Sequence, residues 1–149
     1  MKSLIPLVIA ALFATAAGAQ TESAAPEESL FAPAGTDDLT EFRWKKRPVV
    51  VFADSTEDPA FIEQIELLED RADALRERDV VVVTDTDPAA RSALRLKMRP
   101  RGFMLVLVGK DGGVKLRKPF PWDVRELTRT IDKMPIRQRE IRERRASDS

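Results

Sequence analysis

Residues 105–118 read LVLVGKDGGVKLRK. An apolar run meets a lysine among glycines, and a second, weaker apolar run follows at residues 114–116. Two readings compete, a loop that cradles phosphate and a turn between two strands. The phosphate-binding pattern GxxxxGK[ST] needs a second glycine before the lysine, a Ser or Thr directly after it, and a helix to follow. None of these is present around Lys110. Asp111, Gly112 and Gly113 instead supply residues that accept positive φ in a tight hairpin. The segment is therefore expected to be strand, turn and strand, with Lys110 at the tip in solvent.

Upstream of the hairpin, VVVF at 49–52 and VVVV at 80–83 are continuous β-branched runs, the pattern of strands buried on both faces. Each is followed by Asp-Pro, at 58–59 and 87–88, which places an N-cap before a proline at the first helical position. Phe61, Ile65, Leu68, Ala72 and Leu75 then form one helical stripe. A shorter helix is expected from Pro88 to about Lys97. Downstream, Trp122 and Asp123 start a last helix with the stripe Val124, Leu127, Ile131 and Met134. Pro135 interrupts it, and a basic turn or two follows.

The order is strand, helix, strand, helix, strand-hairpin-strand, helix. Strands alternating with helices imply parallel pairing through right-handed crossovers, and a terminal hairpin adds an antiparallel edge. The expected fold is α/β: a thioredoxin-like three-layer sandwich on a mixed sheet of about four strands with a terminal β-hairpin.

The chain has 149 residues, with 25 basic and 25 acidic side chains and no Cys, His or Tyr. That length suits one domain. The missing residue types exclude disulfides, thiol redox chemistry, histidine bases and the common zinc sites. The balanced charge gives no footprint for nucleic acid. The N-terminus, MKSLIPLVIAALFATAAGAQ, has one lysine before a short apolar run and a small-x-small site at Ala17, Gly18 and Ala19. It reads as a secretory signal over residues 1–19, too short for a comfortable membrane span, so no stable membrane anchor is expected. Residues 20–40 are acidic and rich in Pro, Ser and Ala, the composition of a flexible linker. The domain is expected over 41–141, with a charged tail at 142–149. Export places the mature chain in the periplasm or outside the cell.

Four stretches together, FRWKKR at 42–47, RDVVV at 78–82, LVGKDGGVK at 107–115 and IDKMPIR at 131–137, resemble the bacterial members of domain-of-unknown-function family 4174. The resemblance covers about residues 41–141. It implies a thioredoxin-like fold and an exported protein, and it carries no activity to transfer.

In a thioredoxin-type enzyme the reactive cysteine follows the first strand, where a helix N-terminus lowers the thiol pKa. Here that stretch is Ala53, Asp54, Ser55, Thr56, Glu57 and Asp58, without sulfur. Pro100 stands near the place of the family's cis-proline, and either isomer is open from sequence. Asp54, Glu57 and Asp58 fit helix capping better than paired acid–base carboxylates. Asp85 and Asp87 invite a calcium reading, but Asp87 is better explained as a cap, so no metal site and no cofactor is assigned. Trp44 and Trp122 are expected to be partly buried at the core rim. Ser55 and Thr56 lack a histidine to activate them.

The most uneven charge lies in RSALRLKMRPR at 91–101, five basic residues and no acidic one. A solvated helix face is the plain reading. The functional one sets Lys97, Arg99 and Arg101 beside Ser55 and Thr56, as a binding surface for an anionic ligand or an envelope protein. The expected function is thus an exported, non-catalytic binding module. The alternatives are a former thioredoxin- or peroxiredoxin-like oxidoreductase that lost its cysteines, and a carboxylate-based hydrolase.

Overall fold

The computed structural model describes residues 28–149. The expected signal segment and the first part of the acidic segment lie outside the described residues. A four-stranded mixed sheet has the order β2-β1-β3-β4. The central strand β1 (Arg47–Phe52) pairs in parallel with β2 (Val80–Asp85), Val49 opposite Val82. On its other side it pairs antiparallel with β3 (Met104–Val108), Val50 opposite Val106. The hairpin returns as β4 (Val114–Lys118), antiparallel to β3. The chain has the expected thioredoxin-like α/β architecture.

Both faces of β1 are covered, which is why its apolar run shows no alternation. Val49 and Val51 face helices α1 (Pro59–Asp70), α2 (Ala72–Glu77) and α4 (Val124–Asp132), with Leu68, Leu75, Leu127 and Ile131 buried in that layer. Val50 and Phe52 face α3 (Ala93–Met98) through Leu94 and Met98. Burying each such side chain fully contributes about 1.5–3 kcal/mol. The Asp58 carboxylate accepts the Ala60 N–H and caps α1, and Asp123 does the same for Arg125 at α4.

The structure departs from the sequence reading at several places. The single stripe from Phe61 to Leu75 is carried by two helices that break at Arg71. The segment after Asp87 makes one 3₁₀ turn (Pro88–Ala90), reverses at left-handed Arg91, and only then forms α3 under a Ser92 cap. Asp87 itself makes no side-chain cap bond. Residues 28–32, expected within the linker, are packed: Leu30 is buried in the core, and the Leu30 carbonyl and Ala32 N–H bond Val82 along the outer edge of β2. The basic turn after Pro135 is a full helix, α5 (Pro135–Ser147), which takes in most of the expected tail. Trp122 is half-buried as expected, but Trp44 is 65% exposed on a backbone of φ +65°, with its N–H bonded to the Lys110 carbonyl. In the hairpin, Gly112 alone of the two central glycines has positive φ (+84°). Lys110 is not in solvent; it is buried in an ion network described below. Pro100 is trans, as no described peptide bond is cis.

Candidate functional site

The sheet register fixes which loops leave together. Phe52 at the end of β1 stands opposite Met104 at the start of β3 and beside Asp85 at the end of β2. The loop 53–58 and the loop 99–103 therefore leave the same end of the sheet. This is where a thioredoxin-type enzyme keeps its thiol. Here Asp54, Ser55, Thr56 and Glu57 are all exposed, and the Ser55 hydroxyl accepts the Glu57 N–H, a local turn bond. Arg99, in left-handed conformation at the end of α3, and Arg101 are exposed at this end. Neither contacts a carboxylate among the described residues.

Lys97 does not join them. It lines a cleft with Asp38, Pro48, Val108 and Gly109, at the opposite end of β1. Lys97 is only two residues before Arg99 in the chain, but neither Arg99 nor Arg101 lines this cleft. Arg95, which sequence reasoning passed over, also sits at the loop end. Its guanidinium donates to the Ala53 carbonyl at 2.6 Å and to Asp85 at 2.8 Å, and it stands 5.5 Å from the centroid of the Phe52 ring. Ser92 also donates to Asp85. Burial alone pushes the Asp85 carboxyl up, but the hydrogen bonds from Ser92 and Arg95 outweigh it and hold the group below its ordinary pKa. Arg95 is thus consumed in positioning the loop after β1.

The opposite end of the sheet carries the densest polar cluster. Arg47, 1% exposed, stands on the α-helix-covered face of β1 in register with Val49. It meets Glu140 of α5, which also takes the Lys110 ammonium at 2.7 Å. Lys110 reaches Asp79 at 2.8 Å. Arg78 makes a two-pronged pair with Asp132, both contacts at 2.9 Å, and Arg137 bridges Asp132 and Glu140. Burial opposes ionisation of Asp132 and Glu140, yet their cationic partners keep both carboxyls below the ordinary range. Arg47 Nε is the sole buried side-chain polar atom among the described residues without a partner. Each of the four sequence stretches singled out above supplies charges here: Arg47, Arg78 with Asp79, Lys110, and Asp132 with Arg137. Each charged side chain of the cluster has an oppositely charged partner, which gives it the character of a structural lock.

Among the described residues no group of acidic side chains is arranged to hold a metal ion, and no helix is long and apolar enough to cross a membrane. Solved structures with the same fold include the reduced 2-Cys peroxiredoxin of Plasmodium vivax, 18% identical, with 68% of this chain and 83% of that one aligned at a TM-score of 0.53. Plasmodium yoelii Prx1a is also 18% identical over 63% of this chain and 76% of its own, at 0.50. Likeness at this level speaks for the fold. The family model described as Domain of unknown function (DUF4174) matches residues 38–140, which include every member of the ion network, and the chain belongs to that family.

Proposed function

We propose that this protein is an exported, non-catalytic thioredoxin-like module of the cell envelope that binds an anionic ligand or an acidic segment of a partner protein. The observation that carries the reading is the pair Arg99 and Arg101, exposed and without a carboxylate contact among the described residues, at the sheet end where a redox relative keeps its thiol. A chain without Cys or His has no thiolate and no histidine base to offer there. Guanidinium groups bind carboxylate and phosphate through paired hydrogen bonds. Asp54 and Glu57 share this surface and reduce its net charge, so the ligand must approach the arginines directly rather than be drawn by a broad field.

The test uses immobilised full chain challenged with a poly-glutamate peptide and with envelope extract at two salt concentrations. Wild type should retain acidic material in a salt-dependent way, and Arg99→Glu with Arg101→Glu should abolish retention while the melting temperature holds. Equal retention by the double variant would end this reading.

A further inference from the structure

The cleft that holds Lys97 lies between the segment 37–43, α3 and the hairpin. Its volume of about 290 Å³ is at the lower end of the roughly 300–1,000 Å³ of small-molecule sites, room for a ligand of amino-acid size. Its floor is apolar: Leu39, Phe42, Pro48, Leu94, Met98 and Val108 line it, and Leu94, Met98 and Val108 belong to the core layer under α3. Met98 adds an adaptable thioether to that floor.

The rim carries both signs of charge. Asp38 accepts the Thr40 N–H at 2.9 Å. Hydrogen bonding from the Thr40 side chain and backbone, with the Lys97 charge nearby, holds its carboxyl below the ordinary pKa. Lys97 stands near Asp38 without a salt-bridge contact to it. Two further charged groups share the rim. Arg43 lies over Gly112, where an added Cβ would come within 2.9 Å of its Nη2, and it contacts no carboxylate among the described residues. Asp37 contacts no cation among them. Two cations, Arg43 and Lys97, and two anions, Asp37 and Asp38, thus stand above an apolar floor with no salt bridge among them.

We infer that this cleft is a second binding site, and that it takes a zwitterion with an apolar side chain: a free apolar amino acid. Its carboxylate pairs with Arg43, its ammonium with Asp37, and its side chain enters between Leu94, Met98 and Val108. A simple fatty acid would leave Asp37 unmatched, and a simple amine would leave Arg43 so. Neither Arg99 nor Arg101 lines this cleft, so the two sites are tested separately.

Calorimetric titration of the full chain with L-leucine and L-phenylalanine tests it. At least one should bind saturably with a Kd of about 1 mM or tighter, within reach of one buried side chain and two charge contacts. Arg43→Gln and Asp37→Asn should each weaken binding at least tenfold. Both residues are exposed, so the melting temperature should not move. 4-Methylpentanoate, which lacks the ammonium, and 3-methylbutylamine, which lacks the carboxylate, should bind at least tenfold more weakly than leucine. Arg99→Glu with Arg101→Glu should leave leucine binding unchanged. The inference is overturned if neither amino acid binds saturably, if either rim variant binds like wild type, or if 4-methylpentanoate matches leucine.

Discussion

Glu140 on α5 accepts both terminal guanidinium nitrogens of Arg47 on β1, at 3.1 and 3.3 Å, although 93 residues separate them in the chain. This contact explains how α5 is attached at all. Its one buried residue is Arg137, so the helix docks through charge rather than through an apolar stripe. Glu140→Gln should leave Arg47 and Lys110 poorly matched in a dry environment. Removing one partner of a buried pair costs about 3–5 kcal/mol, and the lower end applies because Glu140 keeps some contact with water. Urea unfolding measures the loss, and hydrogen exchange should show α5 opening first. A change below about 1 kcal/mol, the worth of a surface pair, would show that the network does not hold the helix.

How much of this was legible beforehand depends on the range of the interaction. VVVF at 49–52 and VVVV at 80–83 announce buried strands because their neighbours in sequence already exclude water-facing alternation. The hairpin follows from Asp111, Gly112 and Gly113 between two apolar runs, although only Gly112 takes positive φ. Arg47, Lys110 and Glu140 gave no such signal, since a charged residue in a basic stretch reads as solvated until its distant partner is known. Residues 28–32 were lost in an acidic, proline-containing segment, although Leu30 and Phe31 were the clue to docking there. Ser55, Thr56, Arg99 and Arg101 lie exposed on the loops that leave the sheet at the end of β1. Lys97 lines the cleft beside Asp38 and Val108, a contact with distant segments that no local pattern in the sequence signals.

The pH profile of stability follows from Asp85, Asp132 and Glu140. Burial raises each pKa, but hydrogen-bonded cations or hydroxyls outweigh it and leave each folded value below the ordinary one. Such a group contributes stability that is complete above its unfolded pKa and is lost as pH falls through the folded value. With no histidine in the chain, no side chain of ordinary pKa titrates between pH 5 and 8. Melting temperature should therefore be flat over that interval and fall steeply below about pH 4. A marked slope near pH 6.5 would contradict this account.

The two central hairpin glycines should behave differently on substitution. Gly112 has φ +84°, and a Cβ there meets the Arg43 guanidinium at 2.9 Å, so Gly112→Ala should cost about 1–2 kcal/mol. Gly113 has no positive φ, and its nearest neighbours, at 3.3 and 3.4 Å, are the ends of the Asp111 and Lys115 side chains, which can shift. Gly113→Ala should lie within about 0.5 kcal/mol of wild type, as for an ordinary surface change. Thermal unfolding of the two variants side by side decides it; equal losses would refute the assignment of the turn.

Thiol chemistry should be absent. The attacking species in disulfide exchange and in peroxide reduction is a thiolate, and the chain has no cysteine to form one. Insulin reduction by dithiothreitol should run at the protein-free rate. Acceleration that survives repurification would refute the non-catalytic reading.

Gln64 is the least expected part of the core. It sits fully buried on α1, among the apolar positions of its stripe. Its Nε2 donates to the Trp122 carbonyl at 3.1 Å, and its Oε1 accepts the Trp122 N–H at 2.7 Å. One side chain thereby satisfies both backbone groups of the residue just before the α4 cap, where no strand or helix partner exists. Gln64→Leu keeps the volume and leaves both groups orphaned. Each should cost about 1–3 kcal/mol, so the pair makes this one of the most damaging single changes in the domain. Gln64→Glu separates the two bonds. Its carboxylate can accept the Trp122 N–H but cannot donate to the carbonyl, and it buries a charge. Protonation restores the missing donor, so the folded state raises the pKa of the introduced carboxyl above its unfolded value. The variant should be weakest near neutral pH and recover relative to wild type as pH drops toward 5, before the native carboxylates of the ion network begin to titrate. Stability of Gln64→Leu equal to wild type, or a Gln64→Glu deficit that does not shrink on acidification, would show that the Trp122 backbone finds other partners.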